Sequence, residues 1–220
     1  MNPTVFFLII AAVLQGCNSS PDASNPASSV DTSDATNHFY DNAPTHLLTN
    51  NGKVVVDGEV DEPHEVYFQD LKRRSVIVKE TVLEDGKEEF VGAYRYEGYS
   101  LYDLLNEVNI EKANEDDFAP IIDLYVTVTG SNGEKAVLSW GEIYYPAKPH
   151  QILIATRVTP IVPGKTNEQW PLPEVSKLVV ATDLVTERNV PQPVTIRVHS
   201  LEADYEVNRD LQRLYSPDVE

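Results

Sequence analysis

A chain of 220 residues is sized for one domain or two small ones, which excludes a large multidomain enzyme. Apolar residues at 41% and charged residues at 24% match an ordinary globular protein and are too apolar for a chain disordered throughout. A formal net charge of −18 argues against nucleic-acid binding, and the single cysteine, Cys17, excludes an intramolecular disulfide, a multi-cysteine zinc site and a protein-held iron–sulfur cluster.

The chain opens with an unbroken apolar run, Val5–Leu14, followed by Gln15, Gly16 and Cys17. The run is too short to cross a bilayer as a helix, which takes about 20 residues, and its length fits a signal-peptide hydrophobic region. Leu14-Gln15-Gly16-Cys17 resembles the lipobox of bacterial lipoproteins. The resemblance implies cleavage before Cys17 and acylation at that residue, and several acyl chains at one site anchor a protein firmly. Asn18 follows rather than Asp, so the resemblance points to the outer membrane if the host is Gram-negative. From Asn18 to about Thr45 the chain is rich in Ser, Asn, Asp, Pro and Ala, carries Asp22, Asp31, Asp34 and Asp41, and has no Lys or Arg. Such a segment buries too little to offset its ordering entropy and reads as a flexible tether. The expected organisation is therefore residues 1–16 as signal peptide, 17–45 as acylated cysteine and tether, and 46–220 as the folded domain.

From His46 onward, short runs rich in Val, Ile, Thr and Tyr alternate with turn residues, the pattern of strands. Lys53–Val56 ends at the turn dipeptide Asp57-Gly58 and resumes at Glu59-Val60. Glu65–Leu71 is expected to form a short helix. Arg74–Val82 turns at Glu84-Asp85-Gly86-Lys87 and returns through Glu89–Tyr96. A helix is expected from Ser100, which can cap it, because Leu101, Leu104, Leu105 and Val108 recur at helical spacing and Asp103 suits the first turn. Asp123–Thr129 alternates, with Leu124, Val126 and Val128 on one side, and Ser131–Glu134 turns it into Lys135–Leu138. Gln151–Arg157 is almost continuously apolar, as a strand buried on both faces would be. Lys177–Thr182 and Val194–Val198 complete the strands, and Tyr205–Leu214 is expected to form a third helix. Prolyl loops at Tyr145–Pro149 and Thr159–Pro173 separate them. The class is α+β, strand-dominated, with few helices.

In order and spacing these segments resemble the molybdopterin-binding oxidoreductase domain of the sulfite oxidase family over about Lys53 to His199. Lys53–Pro63 is similar to that family's opening strand pair, and Glu65–Leu71 to the segment that follows. Tyr96–Leu105 is similar to its turn and helix, with Tyr96 where Trp is usual. Tyr125–Trp140 resembles its hairpin, Gln151–Arg157 and Leu178–Val180 its next strands, and Val194–Val198 its closing strand. The resemblance implies a mixed-sheet domain of the sulfite oxidase molybdopterin-binding type. It also implies, for redox-active members, molybdenum held by the cofactor's dithiolene and one protein cysteine, which would correspond to about Glu80–Gly92. No cysteine stands there, and molybdenum favours soft sulfur over what Thr81 or Glu84 could offer.

Candidate ligand-binding residues are Arg73, Arg95 and Arg157 for an anionic group, with Arg74 and Lys165 as further cations, and Tyr96, Trp140 and Trp170 for ring contacts. The chain has 11 tyrosines, and Tyr94, Tyr96, Tyr99 and Tyr102 with Trp140, Tyr144, Tyr145 and Trp170 could line a shallow aromatic groove. The histidines His38, His46, His64, His150 and His199 show no metal-ligand spacing, and no nucleophile elbow or phosphate-binding loop is present. No catalytic or metal-ligating residue is assigned and no cofactor is expected, although the resemblance admits molybdopterin. The first reading is an acidic envelope lipoprotein, membrane-anchored through Cys17, that binds a small molecule or an envelope-protein partner without redox catalysis. The second is a molybdopterin-dependent oxidoreductase with a non-cysteine metal ligand. A third is a purely structural envelope component.

Overall fold

Alternating burial organises the Val- and Tyr-rich runs into strands. The computed structural model describes residues 43–116, 119–162 and 169–201. Every described residue belongs to one compact unit, within His38–Glu220. The expected signal peptide, Cys17, the expected tether up to residue 42, Lys165 and the expected helix Tyr205–Leu214 lie outside the described residues.

Among the described residues, ten strands form two five-stranded sheets. In chain order they are β1 (His46–Leu47), β2 (Lys53–Gly58), β3 (His64–Tyr67), β4 (Arg74–Glu84), β5 (Lys87–Ser100), β6 (Leu124–Gly130), β7 (Lys135–Ser139), β8 (Ile152–Pro160), β9 (Lys177–Val180) and β10 (Pro193–Ser200). The first sheet runs β4-β5-β8, with β1 and β9 each pairing with β8, and is antiparallel throughout. The second runs β3-β2-β10-β6-β7 and is mixed, because β2 and β10 are parallel. Two short α-helices occur among the described residues: α1 (Leu101–Leu105) and α2 (Trp140–Tyr144). The domain is thus strand-dominated, with two sheets and few helices.

The main core is built from Val54, Val56, Val126, Val128, Ile196 and Val198 of the second sheet and Tyr99, Ile152, Ile154, Leu178 and Val180 of the first. Leu101, Leu104 and Leu105 of α1 and Trp140 and Ile143 of α2 join it. A second cluster holds Val76, Val78, Tyr94, Tyr96, Leu153, Ala155 and Val179. Since residues on one strand alternate between faces, Leu153 and Ile154 must face opposite ways. The apolar run in β8 therefore serves two cores, as its composition predicts.

The turn after β4 has Asp85 at φ 51° and Gly86 at φ 76°. Two successive positive φ angles are what a tight two-residue hairpin requires, and Asp-Gly supplies them at low cost. Other elements differ from the sequence reading. Glu65–Leu71 forms the end of β3 and a single 3-10 turn, Phe68–Asp70, because the β-favouring residues of its first half pair with β2 instead. Asp57-Gly58 does not interrupt β2 but ends it, since Gly58 at φ 93° terminates the strand beside Val198. Helix α1 stops at Leu105, short of Val108.

Candidate functional site

The stretch Glu80–Gly92, where the family resemblance would place a metal-ligand cysteine, is the distal part of the β4–β5 hairpin. Its buried polar side chains, Glu80 and Thr81, have partners. Glu80, on β4, accepts from the Tyr96 hydroxyl at 2.8 Å and forms an ion pair with Lys177 of β9, whose ammonium lies 4.8 Å from the Tyr96 ring centroid. The Thr81 hydroxyl donates to the Leu184 carbonyl, and the Thr186 amide and hydroxyl both donate to the Thr81 carbonyl, at 2.9 and 2.7 Å. The segment around residues 184–186 is thereby fastened onto β4. Burial, with the Glu80 charge adding to it, pushes the Tyr96 phenol far above its ordinary value, so it remains a hydrogen-bond donor. At Gly92 a Cβ would stand 2.5 Å from the Tyr94 hydroxyl oxygen and 2.9 Å from Trp170 Cβ. No side chain can be added there without displacing its neighbours.

The opposite end of the hairpin borders an open cleft of about 470 Å³. Arg73 enters from the residue before β4, Thr156 and Arg157 from β8, Tyr99 from β5, and Tyr67, Phe68 and Gln69 from the end of β3. Phe68 and Tyr99 stack with ring centroids 4.8 Å apart and 13° between planes. The remaining wall is the turn after β1, which is pinned at each step. The Asn50 amide donates to the Leu48 carbonyl, the Gly52 amide donates to Asn50 Oδ1, and the Phe68 amide donates to the Gly52 carbonyl, each at 2.9 Å. Gly52 sits at φ 71°, which favours glycine. The lining contains two arginines and no Asp or Glu, in a chain with 35 acidic and 17 basic residues. Among the described residues, the side chains of Arg73 and Arg157 make no ion pair or hydrogen bond, whereas Arg74 is held by Asp103 at 2.9 and 3.2 Å and Arg188 by Asp183 and Glu142.

Of the six residues singled out for ligand binding, the structure brings Arg73 and Arg157 into this one cleft. Arg95 is exposed on β5, paired with Thr159, and outside the lining. Tyr96 is fully buried and Trp140 is 2% exposed, the latter in the main core. Trp170 packs on the second core, its indole N–H donating to the Ile161 carbonyl at 2.8 Å. The tyrosines do not gather into one groove: Tyr94 and Tyr96 face the second core, while Tyr99 lies in the main one. The residues missed by sequence reasoning are Asn50, Asn51, Gly52 and Gln69. An Asn-Gly pair ahead of a strand is a readable turn signal, but nothing local says that it faces Arg157.

Two other constellations lack the geometry of a site. Ser100, His150 and Asp103 converge, with Ser100 Oγ 3.0 Å and Asp103 Oδ2 3.7 Å from the same atom, His150 Nδ1. A proton relay needs hydroxyl and carboxylate on opposite ring nitrogens, and Ser100 is completely buried. The outer face of the second sheet carries a shallow concavity with Lys135, Arg197 and the stacked pair Tyr125–His199, but there Asp57 opposes Arg197 at 3.8 Å.

No family model matches the chain, and no curated protein sequence matches it. Among solved structures, the chain is similar to the sulfane dehydrogenase SoxCD from Paracoccus pantotrophus. The two share 15% identity at a TM-score of 0.47, over 74% of this chain and 42% of that one. The chain thus spans less than half the length of that structure's chain.

A protein-held molybdenum does not fit the residues at Glu80–Gly92. The Glu80 carboxylate is neutralised by Lys177, the Thr81 hydroxyl is committed to Leu184, and Gly92 has no room for a side chain. None of these is a soft donor. What the Arg73–Arg157 cleft can do is hold negative charge against a partly apolar wall.

Proposed function

We propose that this chain is a ligand-binding domain of the bacterial envelope, anchored through an acylated Cys17, with a sulfite-oxidase-like ancestry and no molybdenum redox chemistry of its own. The observation that carries the reading is the closed state of the hairpin stretch, where Glu80, Thr81 and Gly92 are occupied by Lys177, Tyr96, Leu184 and Tyr94. An oxygen-ligated metal there would have to break the Glu80–Lys177 pair or free the Thr81 hydroxyl. Removing one member of a largely buried ion pair costs about 3–5 kcal/mol. Binding, on this reading, takes place at the accessible cleft of Arg73 and Arg157.

Two measurements test it. The full chain, produced in a host that makes the molybdenum cofactor and extracted from its membranes, should contain molybdenum far below one atom per chain; one-to-one molybdenum overturns the reading. Labelled palmitate fed to the cells should be incorporated into the chain and not into its Cys17→Ser variant, and equal labelling of the two overturns the anchor.

A further inference from the structure

We infer that the cleft takes a small organic anion with an apolar body, its phosphate, sulfonate or carboxylate head held between Arg73 and Arg157. The inference rests on the binding-domain reading and names the ligand class for that site.

Charge comes first. In a chain of net charge −18, a cleft lined by cations and no carboxylate is unexpected, because acidic side chains outnumber basic ones by about two to one, and the nearest carboxylate in register with Arg157, that of Glu97 across β5, is not part of the lining. Arg73 and Arg157 nevertheless line one cleft without an acidic lining residue. Guanidinium groups offer planar donor pairs that match a carboxylate or phosphate, and such charge-assisted bonds are roughly twice as strong as neutral ones. Asn51 and Gln69 add neutral donors at the same wall, and the Thr156 and Tyr99 hydroxyls add two more.

The body of the ligand follows from the rest of the lining. Leu47 is 73% exposed, Tyr67 is 44% exposed, and Phe68 and Leu48 complete an apolar side. An exposed leucine alone needs no explanation, but here it stands with aromatic rings in a lining that also holds two arginines. A bare inorganic ion would leave that side wet, whereas an aromatic or branched apolar group would cover it. A volume of about 470 Å³ suits a small molecule. The wall is also set before binding, since Asn50, Gly52 and Phe68 are joined by successive hydrogen bonds. A preformed site loses less entropy on binding.

The test uses the full chain in detergent, titrated calorimetrically with phenyl phosphate, benzoate and inorganic phosphate at 0.15 M salt. Phenyl phosphate should bind at least tenfold more tightly than inorganic phosphate, with benzoate between them. Arg73→Gln and Arg157→Gln should each weaken phenyl phosphate at least tenfold. Leu47→Asp, at a position 73% exposed, should weaken it similarly by placing a carboxylate at the mouth. Arg95→Gln, on the same hairpin but outside the lining, should change it less than twofold. Absence of phenyl phosphate binding, equal binding of all three probes, or arginine variants that bind as the parent does would overturn the inference. Molybdenum measured on the same preparation separates the two failures: a metal-free chain that binds no anion sinks the ligand class alone, whereas one-to-one molybdenum sinks the binding-domain reading.

Discussion

Glu80 shows how much a single side chain can fix. Its Oε1 receives the Tyr96 hydroxyl, the Lys177 ammonium and, at 3.4 Å, the Asn189 amide, so strands β4, β5 and β9 meet on one oxygen. The side chains of Lys177 and Glu80 are 13% and 10% exposed, so the pair sits mostly out of water. Lys177→Met leaves a carboxylate largely buried and uncompensated, and should destabilise the domain by about 3 kcal/mol. Restoring neutrality with Glu80→Leu would still strand the Tyr96 hydroxyl, whose unsatisfied burial costs about 1–3 kcal/mol. The triple variant Glu80→Leu, Tyr96→Phe, Lys177→Met should therefore recover most of the loss, while the Glu80→Leu, Lys177→Met double should recover only part. Urea denaturation of the four proteins checks the ordering. A double variant as stable as the parent would show that Tyr96 needs no acceptor.

At the level of elements, what was legible followed local pattern, and what was hidden depended on contacts between distant segments. The alternation of Leu124, Val126 and Val128 gave β6, and the unbroken apolar run gave a strand with two buried faces. Arg73 and Arg157 were picked out by charge alone, but only the pairing of β8 with β1 and β5 brings Arg157 to the cleft. Ser100 was read as a cap for α1. It occupies that position, but its hydroxyl pairs with His150, fifty residues on, and makes no cap bond. Helix α2 was overlooked although Ser139-x-x-Glu142 spells a capping box. There Glu142 N–H donates to Ser139 Oγ at 3.2 Å and Ser139 N–H donates to Glu142 Oε1 at 2.6 Å. Glu142 also receives Arg188, which ties α2 to the segment after β9. Ser139→Ala should cost about 1 kcal/mol, the usual worth of a cap. Glu142→Ala removes the cap and the Arg188 bond together, so it should cost more and also speed amide exchange around residues 183–190. Equal losses for the two variants, with unchanged exchange in that segment, would contradict the double role.

Across the whole molecule, stability against acid is a contest between two effects of opposite sign. Protonating carboxylates relieves the repulsion within a chain of net charge −18, which favours the folded state as pH falls. Against this, His150 and His199 are both held below the ordinary histidine value, chiefly because burial disfavours the charged ring. Asp103 pulls His150 the other way, and Arg74 and Lys72 reinforce the lowering. Between the lowered folded values and 6.5 the unfolded chain holds more protons than the folded one, so stability falls as pH drops through that window. Glu59 extends the trend. Its burial would raise its value, but hydrogen bonds from the Ser200 hydroxyl and the Ala113 and Ser200 amides outweigh this and lower it. The stability it contributes is present above pH 4.5 and is lost as pH falls through its lowered folded value. Surface repulsion is screened over about 8 Å at 0.15 M salt, whereas partly buried histidines are screened much less. The histidine effect should therefore win at that salt, and Tm should fall from pH 7 to pH 5. In 10 mM salt the repulsion is larger, so its relief should make the fall shallower. His150→Asn, chosen because Asn tolerates the φ of 65° at that position, should flatten the slope further. Calorimetric scans across this range decide it: a Tm that rises on acidification at 0.15 M salt would mean that the net charge, and not the buried rings, governs the stability of the fold.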